Sequence, residues 1–393
     1  MRVLHVIPSL SSRTGGPAVA AAEMARVIRG EGVETAVFAT DVAHPAITRN
    51  ARPVASEELV QGWNGGGGTR LFPIRRPHRL VYSPGLRRAL RKEVGGYDVV
   101  HIHSLYLYPQ YAASREAARK GVPYVVSPHG ALDPWLRRRG RLQKALVELA
   151  WQRRMLSRAA GLHFTSEDEA LLAGDVARGV PRIVVPLGIR WTDYQSLPSA
   201  AAFRARHIGG AEGPVVLTLG RLTAKKGLDV LVRAFAIAAR RSPDALLVIA
   251  GPDDEGLKPG LRVIATEEGV ADRLSFTGML HGEEKLAALA AADVWALPSH
   301  TENFGIAVME ALAAGAPTVV SPAVNLAGEI ERAGAGIVSE PSSEAFGAAI
   351  SFLLEDSERR SEYGERAREF ARRYDWDALA PRIVEMYEEV AGR

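Results

Sequence analysis

Short runs of β-branched and other apolar residues alternate along the chain with segments whose apolar residues recur every three to four positions. In the first half, residues 3–7, 35–38, 99–102, 124–127, 162–165 and 183–186 read as strands. In the second half, 215–219, 246–250, 274–277, 294–297 and 318–321 do the same. Strands separated by helical segments predict βαβ units and parallel sheets. The alternation breaks at 188–214, where Pro, Ser and Gly are scattered and the run ends in "GGAEGP", and this stretch reads as a loop at a domain boundary. The expectation is an α/β chain with two Rossmann-like domains, 1–190 and 191–374, and a final helix over 375–393. The "WNGGGG" run at 63–68 reads as a flexible loop inside the first domain. In open parallel sheets, ligands gather at the carboxyl ends of the strands, at the point where strand order reverses. Chemistry is therefore expected in the turns that follow strands, with the two domains turning those ends toward a shared cleft.

One such turn is "HTENFGIAVMEALAAGAPTVVS", residues 300–321. Ile306, Met309 and Leu312 fall at helical spacing, and a Gly and a Pro close the helix before the next strand. Glu302 is expected at or just before the helix start, with Glu310 about two turns further on. A helix start offers unpaired amides and partial positive charge to an anion. A phosphate site flanked by two carboxylates suits a ligand that carries both phosphate and hydroxyl groups.

"GRLTAKKG", residues 220–227, follows another strand. Arg221 and Lys226 stand five apart across a turn, able to converge on one anion, Arg by a bidentate fork and Lys as a point charge. Neither half carries G-x-G-x-x-G after its first strand, which argues against dinucleotide binding. The first half offers Gly15-Gly16 before Pro17, either a close-approach turn for phosphate or a plain glycine turn. His129 in "VVSPHGALD" follows a strand, where it either enters a site or is satisfied by a loop carbonyl. His101 and His103 in "HIHSLY" have the spacing of a metal pair, but no carboxylate or third histidine stands near them in sequence. They read as structural or acceptor-side residues. "GPDDEG" is the one acidic doublet that resembles a metal–nucleotide site.

Composition adds limits. At 393 residues the chain exceeds a typical single core. It has no cysteine, so thiolate metal sites and disulfides are excluded, which fits a reducing compartment. The five apolar residues before Pro8 read as a buried strand rather than a signal peptide. No run approaches the roughly 20 apolar residues that span a bilayer. Residues 1–190 hold 28 Lys and Arg against 15 Asp and Glu, a net of +13, while the remainder holds 21 against 30, a net of −9. Two domains with different partners follow. The basic stretches 70–92 and 137–158 mix cations with Leu, Trp, Tyr and Phe, as either a solvated helix face or a surface for anionic lipid headgroups or a polyprenyl-diphosphate acceptor. The acidic second half and the lack of a binding motif speak against nucleic acid.

"GRLTAKKG", Gly251-Pro252, "FTGML", "ENFGIAVMEALAAG" and "SPHGALDPW" together resemble the retaining glycosyltransferases of family 4, with the two-Rossmann GT-B fold. Glu302 and Glu310 match that family's E-x7-E motif. The resemblance implies transfer of a sugar from a UDP- or GDP-sugar to an acceptor hydroxyl with retention, no covalent intermediate, no cofactor and no metal. It implies that Arg221 and Lys226 hold the donor diphosphate, aided near Gly16 and Gly251. The amides around Asn303, Phe304, Gly305 and Ile306 would bind phosphate, and the backbone near Leu280 would contact the base. Glu302 would meet sugar hydroxyls, Glu310 the ribose, and His129 the donor sugar. The final helix would cross back to the first domain. A lipid-linked or polysaccharide-biosynthesis acceptor, and a cytoplasmic protein that is soluble or peripheral on the inner face of the membrane, complete the expectation. An epimerase on the same fold and a non-catalytic sugar- or lipid-binding module are the alternatives.

Overall fold

Thirteen strands are found in a computed structural model, which describes residues 1–43, 54, 59, 68–138, 140–176 and 178–392. The first seven are β1 (Arg2–Ser9), β2 (Glu34–Thr40), β3 (Thr69–Phe72), β4 (Val99–His103), β5 (Tyr124–Ser127), β6 (Gly161–Phe164) and β7 (Arg182–Val184). They form one parallel sheet in the order β3-β2-β1-β4-β5-β6-β7. The other six are β8 (Val215–Leu219), β9 (Leu246–Ala250), β10 (Leu274–Gly278), β11 (Val294–Leu297), β12 (Thr318–Val320) and β13 (Gly336–Val338). Their order is β10-β9-β8-β11-β12-β13, again all parallel. Chain order reverses between β1 and β4 in the first sheet and between β8 and β11 in the second.

The chain divides into two units, Met1–Gly188 with Trp376–Arg393, and Ile189–Asp375. Central strands such as β4 and β8 are buried at every residue, as expected where helices cover both faces of a parallel sheet. The core of the first unit joins Leu4, Val6, Val100, Ile102, Val126 and Phe164. The core of the second joins Val216, Leu231, Phe235, Leu247, Ile249 and Phe346. The final helix, Trp376–Ala391, belongs to the first unit and buries Ile383, Met386 and Tyr387.

Several local expectations are corrected. The edge strand β3, with Phe72 alone buried, and the three-residue β13 were not expected from their short, polar or glycine-interrupted runs. The stretch read as a loop over 188–214 carries a 3-10 turn, Trp191–Tyr194, and a helix, Ala201–Ile208, whose Phe203 is buried. The helix expected to start at or just after Glu302, with Glu310 about two turns in, begins at Ile306 (Ile306–Ala314), because Gly305 takes a left-handed conformation, φ 72°, as its N-cap. Glu302 thus lies in the turn ahead of the helix, and Glu310 one turn inside it. Of the glycine run, 63–67 lies outside the described residues.

Candidate active site

In the second unit the turns after β8, β9 and β11 meet at the reversal of strand order. β8 runs into Gly220 and β9 into Gly251, and the two main chains touch. A Cβ on Gly251 would lie 1.8 Å from the Gly220 carbonyl oxygen, at φ 144°, so only glycine permits this approach. Beyond Gly220 the chain makes a 3-10 turn, Ala224–Lys226. The Lys225 carbonyl oxygen accepts from the His300 amide at 2.7 Å and from Ser299 Oγ at 2.9 Å, which clasps this turn to the one after β11.

That clasp brings Lys226 onto Glu302, with Lys226 Nζ bonded to Glu302 Oε2 and Lys225 Nζ 3.5 Å from the same oxygen. The Glu302 main chain is fixed in turn, its amide donating to Ala323 O at 2.9 Å and its carbonyl accepting from the Asn325 amide at 3.1 Å. Burial alone would raise the Glu302 carboxyl, but Lys225 and Lys226 outweigh it and hold its pKa down to about 2. Burial lowers the Lys226 ammonium, and the neighbouring cations Lys225 and Arg221 lower it further against the pull of Glu302. Arg221 lies 3.6 Å from Asp254. Each of these cations thus faces a carboxylate.

Asn303 Oδ1 accepts from Asn325 Nδ2 at 3.2 Å, and Phe304 is buried beside the Tyr374 ring. Ile306 opens the helix, and the first amides drawn to Gly305 O are those of Val308 and Met309. The preceding amides stand ahead of the helical ladder. Glu310 Oε1 takes Lys285 Nζ at 2.6 Å from the helix Gly282–Ala290, with the Tyr194 phenol beside it. Leu280 is buried in the turn after β10. The acids of "GPDDEG" have partners here. Asp253 accepts from the Leu257 and Lys258 amides at 2.7 and 3.1 Å at a helix start, Asp254 faces Arg221, and Glu255 accepts from the Ala224 amide at 2.8 Å.

In the first unit Gly16 opens the helix Gly16–Gly30, preceded by Gly15 at φ 76° and followed by Pro17. His129 occupies the turn after β5 with φ 51°, followed by Gly130 at φ 78°. Such a pair of left-handed residues costs energy at the histidine and persists only when the surroundings enforce it. Buried Glu169 does so, accepting from the Gly130 amide at 2.6 Å and from the Thr165 amide and Oγ1 at 2.7 Å each.

No third histidine stands near His101 and His103 in sequence, but the fold brings three to them. His5 on β1 is the register partner of His101 on β4, and His163 from β6 and His129 extend the group to five. Loss of hydration is the main cause lowering all five pKa values, to about 3 for His5 and His129 and about 4 for His163. His5, His101 and His103 bring ligand atoms within 4.8 Å of one another. Their geometry is that of a stack rather than a coordination shell. The His101 and His103 rings lie 4.0 Å apart at 23°, and both nitrogens of each already have hydrogen-bond partners. A metal binds in the ring plane through a vacant lone pair.

Sequence reasoning missed Lys225, Lys285, Glu169, His5 and His163. Lys225 had a signal, a second lysine beside the first. Lys285 reaches Glu310 from another helix of the second unit, and Glu169, His5 and His163 reach the His129 turn and its histidines from other elements of the first, and none of these left a signal.

Residues 202–370 match the glycosyl transferases group 1 family, and residues 15–188 match the glycosyl transferase 4-like domain. The phosphatidyl-myo-inositol mannosyltransferase of Mycolicibacterium smegmatis is 28% identical over 100% of this chain and 95% of its own length. The D-inositol 3-phosphate glycosyltransferase of Nocardia farcinica is 30% identical over 77% of this chain and 68% of its own. HepE (Alr3699) of Anabaena, solved with UDP and glucose, superposes with a TM-score of 0.79 at 19% identity, covering 99% of both chains. With two parallel α/β units and these relatives, the chain belongs to the glycosyltransferases and has the GT-B fold.

Proposed function

We propose that the protein transfers a sugar from a UDP- or GDP-sugar to an acceptor hydroxyl with retention of anomeric configuration, as an E-x7-E enzyme of family 4. The observation that carries this reading is the Lys226–Glu302 pair beside Arg221, where the turns after β8 and β11 are clasped together. An arriving diphosphate competes for Lys226 and Arg221, and the Glu302 carboxylate that Lys226 leaves is then free to accept from sugar hydroxyls. The helix start at Gly305 and Ile306 receives phosphate, Glu310 the ribose diol, and the main chain near Leu280 the base.

In the reaction the bond from the anomeric carbon to the leaving phosphate oxygen breaks, and the electron pair leaves with the phosphate. Arg221 and Lys226 stabilise that charge. The acceptor oxygen bonds to the anomeric carbon on the same face and gives its proton to the leaving phosphate. His129 donates a hydrogen bond to the sugar. Because cations meet the diphosphate, neither a metal nor a cofactor is required.

For the acceptor we propose a lipid-linked intermediate, reached from an anionic membrane surface. Among the described residues no helix is long and apolar enough to cross a membrane. Leu142, Leu146 and Leu149, however, are 85%, 70% and 77% exposed on one helical face between exposed Arg138, Arg141, Arg153 and Arg154. That pairing of apolar and cationic side chains suits a headgroup layer.

The test is a donor panel with product analysis. Incubation with UDP- and GDP-sugars should release the nucleoside diphosphate in the presence of a chelator, and NMR of the product should show the donor's anomeric configuration. An epimerised nucleotide sugar with no transferred product, or an inverted product, would overturn the reading.

A further inference from the structure

Two hydrogen-bonded branches run through the buried histidines of the first unit, and they differ in how they end. In one branch every proton is placed by a carbonyl. Val185 O can only accept, so the proton lies on His163 Nε2, 2.8 Å away. His163 Nδ1 then accepts from Ser127 Oγ at 2.7 Å, Ser127 accepts from His101 Nε2 at 2.5 Å, and His101 Nδ1 accepts from the Tyr387 hydroxyl at 2.6 Å.

The other branch has no such anchor. His129 Nε2 lies 3.0 Å from His103 Nδ1, and His103 Nε2 lies 3.0 Å from His5 Nδ1. His5 Nε2 is buried and has no partner among the described residues. A neutral imidazole carries one N–H and one lone pair, so only two arrangements keep both bonds. Either all three rings are protonated on Nδ1, or all three on Nε2. Any mixture sets N–H against N–H, or lone pair against lone pair. The second arrangement buries an N–H at His5 Nε2 with no acceptor, a rarer and costlier state than a bare acceptor.

We infer that His5, His103 and His129 form one coupled tautomer wire, protonated on Nδ1 throughout, which fixes the outer nitrogen of His129 as a hydrogen-bond donor. The lone pair on His129 Nε2 is taken by the His103 N–H, so His129 is no general base and offers its Nδ1–H to a sugar hydroxyl or phosphate oxygen. His103 and His5 act through it as positioning residues. What His129 touches rests on the sugar-transfer reading, whereas the wire does not.

The experiment is NMR of the full-length protein with ¹⁵N-labelled histidine, in which two-bond couplings report which nitrogen of each ring is protonated. His5, His103 and His129 should be protonated on Nδ1, and His101 and His163 on Nε2. His5→Phe leaves buried His103 Nε2 as the bare end of a shorter wire, so by the same rule His129 should stay protonated on Nδ1. His5→Asp puts a carboxylate oxygen near the Nδ1 position, which accepts from His103 Nε2 and should reverse the wire, moving the His129 proton to Nε2 and lowering donor turnover about tenfold, the effect of one well-placed hydrogen bond. Protonation of wild-type His129 on Nε2, different tautomers within the three rings, or a His129 proton that stays on Nδ1 in folded His5→Asp would each overturn the inference. Should His5→Asp fail to fold, the wild-type spectra still decide. Failure to turn over any nucleotide sugar would instead refute the sugar-transfer reading and leave the tautomer pattern standing.

Discussion

Lys285 Nζ sits 2.6 Å from Glu310 Oε1, so one carboxylate of the glutamate pair is neutralised by a helix other than its own. Glu302, the other, is neutralised by Lys226 and Lys225. The two carboxylates therefore respond differently to substitution. Glu310→Gln should weaken binding of the bare nucleoside diphosphate about tenfold, the cost of losing a charge-assisted hydrogen bond. Glu302→Gln frees Lys226 and should leave bare nucleotide binding unchanged or tighter, while weakening the sugar-bearing donor. Calorimetric titration with both ligands checks this, and equal losses for both ligands in Glu302→Gln, or an unchanged affinity for the bare nucleotide in Glu310→Gln, would reject the division of roles.

Leaving-group charge sets the second expectation. Arg221→Ala and Lys226→Ala should each lower kcat by about 10²–10³, the usual effect of removing one donor from a developing anion. Lys225 remains 3.5 Å from Glu302 in the Lys226 variant, so the carboxylate keeps a counter-charge and the fold should survive. Near-wild-type turnover in both variants, with native circular dichroism, would remove these residues from the chemistry.

How much of this was legible in the sequence depends on how far each partner lies along the chain. The central strands announced themselves, since β5, β8, β9 and β11 are apolar apart from Ser127 and Thr218, and the turns after them carry His129, Arg221, Gly251 and Glu302. Edge elements such as β3 gave one buried residue and no pattern. Arg221 and Lys226 converged in sequence as a local basic turn, but Lys285 against Glu310 and Glu169 against the Gly130 amide are tertiary pairings with no local periodicity. The histidine group shows the same limit. His101 and His103 share a strand face by spacing alone, whereas His5 joins them only because β1 and β4 are neighbours at the strand-order reversal.

Glu169 offers a test of how the His129 turn is held. Its carboxylate takes three donors, two of them backbone amides. Glu169→Gln turns an N–H toward one of them, and should cost about 2–3 kcal/mol of stability by the usual value of hydrogen bonds to charge. Urea denaturation measures the loss. A change within experimental error would mean that the left-handed His129 conformation is enforced by something else.

Stability should also fall on mild acidification. His5, His101, His103, His129 and His163 are held neutral in the fold, with pKa values of about 3 to 4 where the shift is defined, and recover ordinary values near 6.5 once unfolded. Below pH 6.5 the unfolded chain therefore binds more protons than the folded one, and stability drops as pH falls toward 4. Each group that takes up a proton only on unfolding contributes a slope of about 1.4 kcal/mol per pH unit. Glu302 adds its own loss lower down, between its unfolded value of 4.5 and about 2. Chemical denaturation at pH 7.5 and 5.5 should show a deficit of several kcal/mol at the lower pH, and His163→Asn should flatten the slope. A pH-independent stability across that interval would contradict the neutral network.

Membrane docking is the expectation most exposed to refutation. Leu142, Leu146 and Leu149 present an apolar face, and exposed Arg75, Arg76, Arg79 and Arg88 lie in a second basic stretch of the same unit. Arg87, which the sequence groups with them, pairs with buried Glu116 at 3.3 Å, so its reversal would strike the fold as well as the surface. Binding to vesicles rich in anionic lipid should be strong at low salt and fade as the screening length shortens to about 8–10 Å. Reversing Arg75, Arg76, Arg79 and Arg88 should weaken it at low salt, where long-range attraction counts. Replacing the three leucines by serine should weaken it at every salt, because each inserted side chain gains about 1.5–3 kcal/mol from burial. The two sets together separate electrostatic attraction from insertion. Neither should alter donor hydrolysis, which depends on the Lys226–Glu302 site, whereas transfer to a lipid-linked acceptor should fall with both. No retention on anionic vesicles at any salt, together with full activity on a water-soluble acceptor, would reduce both stretches to ordinary surface.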